Sequence, residues 1–178
     1  MPLDEKTAKS RIRSVFRNYK TLTKGDLSDI RKLKGGKLYE LFCLGQVLTI
    51  LRRQYGFRIT FRGTSIRFQA SPGKINPRTP HFEVWMSGAP RPSFHIYTDI
   101  EFQTLGSSGL SNPDNSAYHE IDIAIVHTWA TDRPKFDDVV LGVECKAHAN
   151  FKKSIVKEVL GVRRELCLLA PLNESELS

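Results

Sequence analysis

Two periodicities divide the chain. Up to Tyr55 the apolar residues recur at helical spacing, and from Phe57 onward they alternate with polar ones, as half-buried strands do. Residues 4–21 predict a basic helix whose stripe is Ile12, Val15, Phe16 and Tyr19. A polar connection follows from Thr23 to Gly36, broken by Gly25 and Gly35-Gly36, in which Asp26 or Ser28 caps a short helix running to Lys34. Lys37–Tyr55 is apolar on much of its surface and predicts a buried helix ending near Gly56. The alternating part then predicts strands at Phe57–Arg62, Ile66–Gln69, His81–Met86, Phe94–Phe102, His119–Val126 and Val139–His148. Between the third and fifth of these, Gly88–Pro92 is a turn and Leu105–Tyr118 a loop of turn-forming composition. Phe151–Leu169 returns to helical spacing, with Ile155, Val159, Leu160, Val162 and Leu166 on its apolar side. This order predicts an α/β domain with a mixed central sheet, flanked by the 37–55 and 151–169 helices.

A few charged residues interrupt the apolar strands. In VVLGVECKAH, Val139, Leu141, Val143 and Cys145 share one face, and Val140, Gly142, Glu144 and Lys146 share the other. In HEIDIAIV, Ile121, Ile123 and Ile125 oppose Glu120, Asp122, Ala124 and Val126. If these strands are neighbours, Asp122, Glu144 and Lys146 meet. Charge that close to a core is costly unless it is paired or holds a metal. Glu40 adds a third acid, on the helix face it shares with Leu44, Val47 and Leu51. Phe94, Ile96, Thr98, Ile100 and Phe102 oppose His95, Tyr97, Asp99 and Glu101, so Asp99 and Glu101 are further acids open to a role in the same site.

Charge changes the picture of partners. The 178 residues carry a net charge of +8 with 40% hydrophobic content, enough for one domain with a real core and a preference for a polyanion. Nucleic acid comes before membrane, since no apolar run approaches the ~18 residues of a span. Arg58 and Arg62 on the first strand, Lys152, Lys153 and Lys157 on the last helix, and the basic N-terminal helix are the candidate phosphate contacts. Cys43, Cys145 and Cys167 are odd in number and unpaired in spacing, which indicates reduced thiols and a cytoplasmic, intracellular compartment.

Phosphodiester hydrolysis fits these residue types. It needs an attacking water, a stabiliser of negative charge and help for the leaving oxygen, much of which a hard divalent cation supplies. Magnesium (or manganese) takes oxygen ligands, so Asp122, Glu144 and the carbonyl of Cys145 suit it, and Lys146 on the same face can stabilise charge or position water. Glu40 can hold a metal-bound water or a second cation.

The same order of features resembles the PD-(D/E)xK nuclease superfamily, to which restriction endonucleases and Holliday junction resolvases belong: a helix with Glu40, Asp122 in one strand, Glu144-Cys145-Lys146 in the next 22 positions later, then a helix. The likeness covers residues 37–169 and rests on a short, tolerant motif in context. It implies a restriction endonuclease-like core at 37–178 behind a basic helical extension at 1–36, with Asp122 and Glu144 as metal ligands, Lys146 catalytic and Glu40 auxiliary. Ile121 stands where the motif's name has Pro, and only Cys167–Pro171 remains for the strand that usually follows the last helix. That shortfall points to a fragment of a longer chain, with a homodimer or further domains as partners.

The function expected is a metal-dependent endonuclease acting on DNA, of restriction, defence or repair type. The alternative is a catalytically inactive nuclease-fold domain that binds nucleic acid or a protein, which has no use for the charged trio; a separate, blander reading makes the trio a structural ion pair on a sheet. Zinc motifs fare worse: Ile123 stands where a second His would complete a helical zinc motif with His119-Glu120, and Cys145 has poor zinc spacing to His127 or His148. No P-loop, Gly-rich dinucleotide turn or Gly-x-Ser-x-Gly elbow is present.

Overall fold

The computed structural model describes residues 4–66, 72–146 and 153–166. The expected strand at Phe68, together with Lys152, His148 and the end of the last helix, lies outside them. Three helices come first: α1 (Glu5–Phe16), α2 (Lys24–Lys32) and α3 (Gly35–Arg53). Asp4 caps α1 by accepting the Thr7 N–H at 2.8 Å. The cap of α2 is Thr23 rather than Asp26 or Ser28, and Asp26 is the reciprocal member of its capping box.

Five strands follow: β1 (Arg58–Arg62), β2 (His81–Trp85), β3 (Phe94–Gln103), β4 (Tyr118–His127) and β5 (Val139–Val143), with α4 (Lys153–Leu166) after them. They form one sheet in sequence order, β1-β2-β3-β4-β5, and every neighbouring pair is antiparallel. The expected mixed sheet is therefore corrected to an antiparallel meander. Parallel pairing occurs only at isolated bridges, Gly73 with Ile100 and Gln103 with Lys135, among the described residues. Between Trp85 and Phe94 the connection is too short for the crossover that a parallel neighbour needs.

Two cores pack against the sheet. The first joins the three N-terminal helices to one face, through Ile12, Phe16, Ile30, Leu44, Leu48, Phe82, Val84, Ile96, Ile123 and Ile125. The second lies on the other face, around Ile75, Tyr97, Ile100, Phe102, Ile121, Ala124 and Val126, with Leu166 of α4 packed on it. Gly142 lets α4 approach: a Cβ there would stand 2.8 Å from Leu166 Cδ1 and 3.1 Å from Ile121 Cδ1.

The strict alternation expected in β3 and β4 does not hold. Ile96 belongs to the first core, yet Ile100 and Phe102, of the same parity, belong to the second. On β4, Ile123 and Ile125 belong to the first core and Ile121 to the second. The cause is visible at Asp99, whose φ of +53° is left-handed, a conformation Asp tolerates better than most residues. The ladder pairs Thr98 with Ile123 and Ile100 with Ile121, which leaves Asp99 opposite Asp122 as the unpaired step between them. The two aspartates thus sit on a seam where the parity facing the second core switches, from Tyr97 and Ala124 on one side to Ile100 and Ile121 on the other.

Candidate acidic site

The seam gathers carboxylates from three elements. Glu40 of α3, Asp99 of β3 and Asp122 of β4 each offer an oxygen, and these oxygens lie within 4.8 Å of one another. Asp99 and Asp122 are 3% and 8% exposed, so water does little to screen them. Lys37, one turn before Glu40, supplies the compensating charge. Its Nζ donates to Asp99 Oδ1 at 2.6 Å and Oδ2 at 2.7 Å, and pairs with Glu40. Burial alone would lower Lys37, but its hydrogen bonds to Asp99 and Glu40 raise it above the ordinary lysine value.

One ammonium does not neutralise three acids. Burial pushes the Glu40 and Asp99 carboxyls up, Lys37 opposes the rise in both, and Asp122 adds like charge. Glu120 is also raised, first by burial and then by Asp122, Asp99 and Glu144, with Lys146 acting the other way. All four partners of Glu120 therefore share one electrostatic neighbourhood.

Glu144 and Lys146 sit just beyond β5 and form an ion pair at 2.5 Å. Extending the β4–β5 register beyond Ile123 with Val143 brings Glu144 opposite Asp122. The strand expected through His148 instead stops at Val143. Its next amide is diverted: the Cys145 N–H donates to Asp122 Oδ2 at 2.5 Å, so a side chain takes the place of a ladder carbonyl. Of the expected metal ligands, Asp122 joins the converging oxygens, Glu144 is engaged with Lys146, and Cys145 fixes Asp122 through its amide. Glu40 is one of the three converging carboxylates. The Cys145 thiol meets Cys43 of α3, and that hydrogen bond lowers Cys43 to about 7.

Two of these residues escape the sequence pattern. Asp99 is visible there as an acid in an apolar strand, without its direction. Lys37 is visible only as part of a Lys-x-x-Glu pair at the head of α3, and its Asp99 partner is 62 positions away.

The expected phosphate contacts are dispersed. Arg58 and Arg62 lie on the edge strand β1, where Arg58 stacks 4.0 Å above the Trp85 ring and Arg62 Nε donates to Glu83 at 2.8 Å. Lys153 and Lys157 are exposed on α4, beyond the opposite edge strand. At the N-terminal helices, Arg13 of α1, Arg17 just after it, and Lys24 and Arg31 of α2 line a basic cleft of about 430 Å³. Two other lysines near it are structural, since Lys9 bonds Glu5 and the Arg31 carbonyl, and Lys20 bonds Asp26 and the Thr64 carbonyl.

No protein-family model matches the sequence, and neither a curated protein nor a solved structure is detectably similar to it. No helix among the described residues is long and apolar enough to cross a membrane.

Proposed function

We propose that this protein is a divalent-metal-dependent nuclease, with DNA as its substrate and a restriction endonuclease-like core. The observation that carries this reading is the convergence of Glu40, Asp99 and Asp122 from three elements within 4.8 Å, beside the Glu144–Lys146 pair. An all-oxygen donor set of this charge suits magnesium or manganese. When bound, such an ion lowers the pKa of a coordinated water and offsets charge developing on the phosphate.

The chain's own residues would then divide the work. Asp122, its carboxylate held by the Cys145 amide, and Asp99, fixed by the left-handed turn of β3, hold the ion with Glu40. Lys146 presents its ammonium to the phosphate oxygens, with Glu144 orienting it. Lys37 opposes the upward push of burial on Glu40 and Asp99.

The second reading is a nuclease-fold domain that binds without cutting. It is favoured by one observation: Lys37 already contacts both oxygens of Asp99 and also Glu40, so the lysine itself can serve as the cation.

The deciding experiment incubates the protein with supercoiled plasmid and short duplexes in magnesium, manganese or EDTA. Cleavage is expected with either metal and none in EDTA. Asp122→Ala should abolish it while DNA binding in metal-free buffer persists. A wild type that never cuts, together with an Asp122→Ala variant destabilised by about 3–5 kcal/mol, would establish the structural ion pair instead.

A further inference from the structure

A second cluster lies away from the acids, on strands β2 and β3. His81, Glu83 and His95 each offer a ligand atom, all within 4.8 Å of one another. The sheet register assembles them. His81 and Glu83 are two apart on β2 and share a face, and Glu83 is paired directly with His95 across the β2–β3 ladder. On its other side Glu83 is paired with Thr60 of β1, so Thr60, Glu83 and His95 form one row across three strands.

The surroundings orient these groups as the outer shell of a metal site does. His81 Nδ1 lies 2.9 Å from the Thr79 carbonyl, which can only accept. The proton is therefore on Nδ1, and the lone pair that a metal takes is on Nε2. Glu83 accepts from Arg62 Nε at 2.8 Å on one oxygen and from the Thr60 hydroxyl at 3.0 Å on the other. Each oxygen keeps a second lone pair. The Tyr97 ring stacks on His81 at 4.9 Å and meets His95 edge-on at 6.0 Å, which restricts both imidazoles. His81 and Glu83 are 5% and 8% exposed, whereas His95 is only partly buried and leaves a way in.

We propose that His81, Glu83 and His95 form a binding site for a borderline divalent cation, zinc first, with an open coordination position toward solvent. Two imidazoles and one carboxylate are a zinc donor set, and they distinguish this site from the all-oxygen cluster that suits magnesium. Zinc ligands 2.0–2.1 Å from the ion stand about 3.3 Å apart in a tetrahedron, so small rotations about χ1 and χ2 close the present spacing. The bound ion would clip the short strand β2 (5 residues) to the longer β3 (10 residues).

The test uses full-length protein stripped with chelator. Zinc is titrated in competition with a chromophoric chelator, and cobalt(II) is added as a spectroscopic probe. Wild type should bind zinc at this site with a rise in Tm, and cobalt should give visible absorption of a low-symmetry, nitrogen-containing site. His95→Gln, chosen because His95 is partly exposed and tolerates change, should weaken zinc by more than about tenfold. His127→Gln, a histidine control outside the cluster, and Asp122→Ala should both retain zinc, and millimolar magnesium should not displace it. Equal zinc affinity in wild type and His95→Gln would overturn the proposal, and so would loss of zinc in Asp122→Ala, which would place the ion in the acidic cluster. Either result leaves the nuclease test standing on its own cleavage assay.

Discussion

Asp26 and Asp99 are both buried aspartates with a lysine partner, but their surroundings treat them in opposite ways. Asp26 is 1% exposed and accepts from Lys20 Nζ, the Thr23 amide and hydroxyl, and the Ile66 amide, at 2.7–2.9 Å. Burial opposes its charge, but these donors outweigh it and hold the carboxyl well below the usual range. Asp99 has a lysine too, yet burial, with a smaller push from the Asp122 charge, holds its carboxyl above the usual range, and Glu40 crowds the same spot. One carboxylate is saturated with donors; the other shares too few among too many acceptors. Saturation of the first kind builds a fold. The deficit of the second kind is what a cation relieves, and strongly shifted groups of that sort concentrate where binding or chemistry occurs.

The sharpest way to break this contrast is to delete both kinds of acid. Asp26→Ala should cost about 3–5 kcal/mol, because it strands the Lys20 ammonium and the Ile66 amide in a buried setting. For a chain of this size that is a Tm loss of roughly 10 °C or more. Asp122→Ala, measured in the same buffer with EDTA, should cost only about 1–2 kcal/mol, since the relief of repulsion within the cluster offsets part of the loss of the Cys145 amide's acceptor. Equal losses in both variants would erase the distinction.

Lys37→Met comes next in size. It leaves Glu40, Asp99 and Asp122 without their ammonium and should destabilise the protein by about 2 kcal/mol in EDTA. Millimolar magnesium should restore most of this loss and do nothing for Asp26→Ala. Denaturant titrations with and without magnesium check it; a Lys37→Met loss that magnesium leaves untouched would mean that the cluster takes no cation.

Gly142→Ala should cost about 1–2 kcal/mol, as its Cβ forces Leu166 or Ile121 aside. Urea melts of the single variant and of Gly142→Ala with Leu166→Ala should show the loss shrinking in the double variant.

The smallest effect is in pH dependence, and its sign differs between the two regions. Asp26 is depressed, so its contribution is complete above the ordinary value of 3.8 and is lost as pH falls through the lower folded value. Glu40, Asp99 and Glu120 are raised, so the folded state holds their protons more tightly. Stability then declines as pH climbs from the ordinary values, 4.5, 3.8 and 4.5, through the raised ones. Lowering pH from neutrality should first strengthen the fold and then, in strong acid, weaken it. Asp99→Asn should flatten the first limb and leave the acid limb in place, as seen by urea melts across that range.

Much of this architecture is legible in the sequence because it is set by local periodicity. The apolar stripe of α3 and the alternation in β3, β4 and β5 place those elements within a few residues, and Glu40 and Asp122 fall in one site from two separate patterns. What is illegible depends on departures from the period or on distant partners. The left-handed step at Asp99 breaks the alternation and carries Ile100 and Phe102 to the other core. The end of β5 is set by a side chain of β4 taking the Cys145 amide. Asp26 reads as a helix cap, but its main service is to anchor Lys20 and Ile66, the latter 40 positions away. The His81–Glu83–His95 row needs the β2–β3 register, which alternation within each strand does not supply.

The seam at Asp99 and Asp122 has one more consequence, for how the molecule opens. On the Phe94–Thr98 side of it β3 serves both cores, through Ile96 and Tyr97, and β4 does the same through Ile123 and Ala124, whereas beyond it Ile100, Phe102 and Ile121 serve the second core alone. Such a sheet has a natural boundary between two cooperative units rather than a single melting block. Amide exchange should therefore divide partway along β3: the Phe94–Thr98 amides, held by both cores, should exchange last, and the Ile100–Gln103 amides earlier, in step with the loop that carries Ile75. Opening of either unit alone would part Glu40 from the far end of the seam, so the acidic site exists as a whole only while both units are closed.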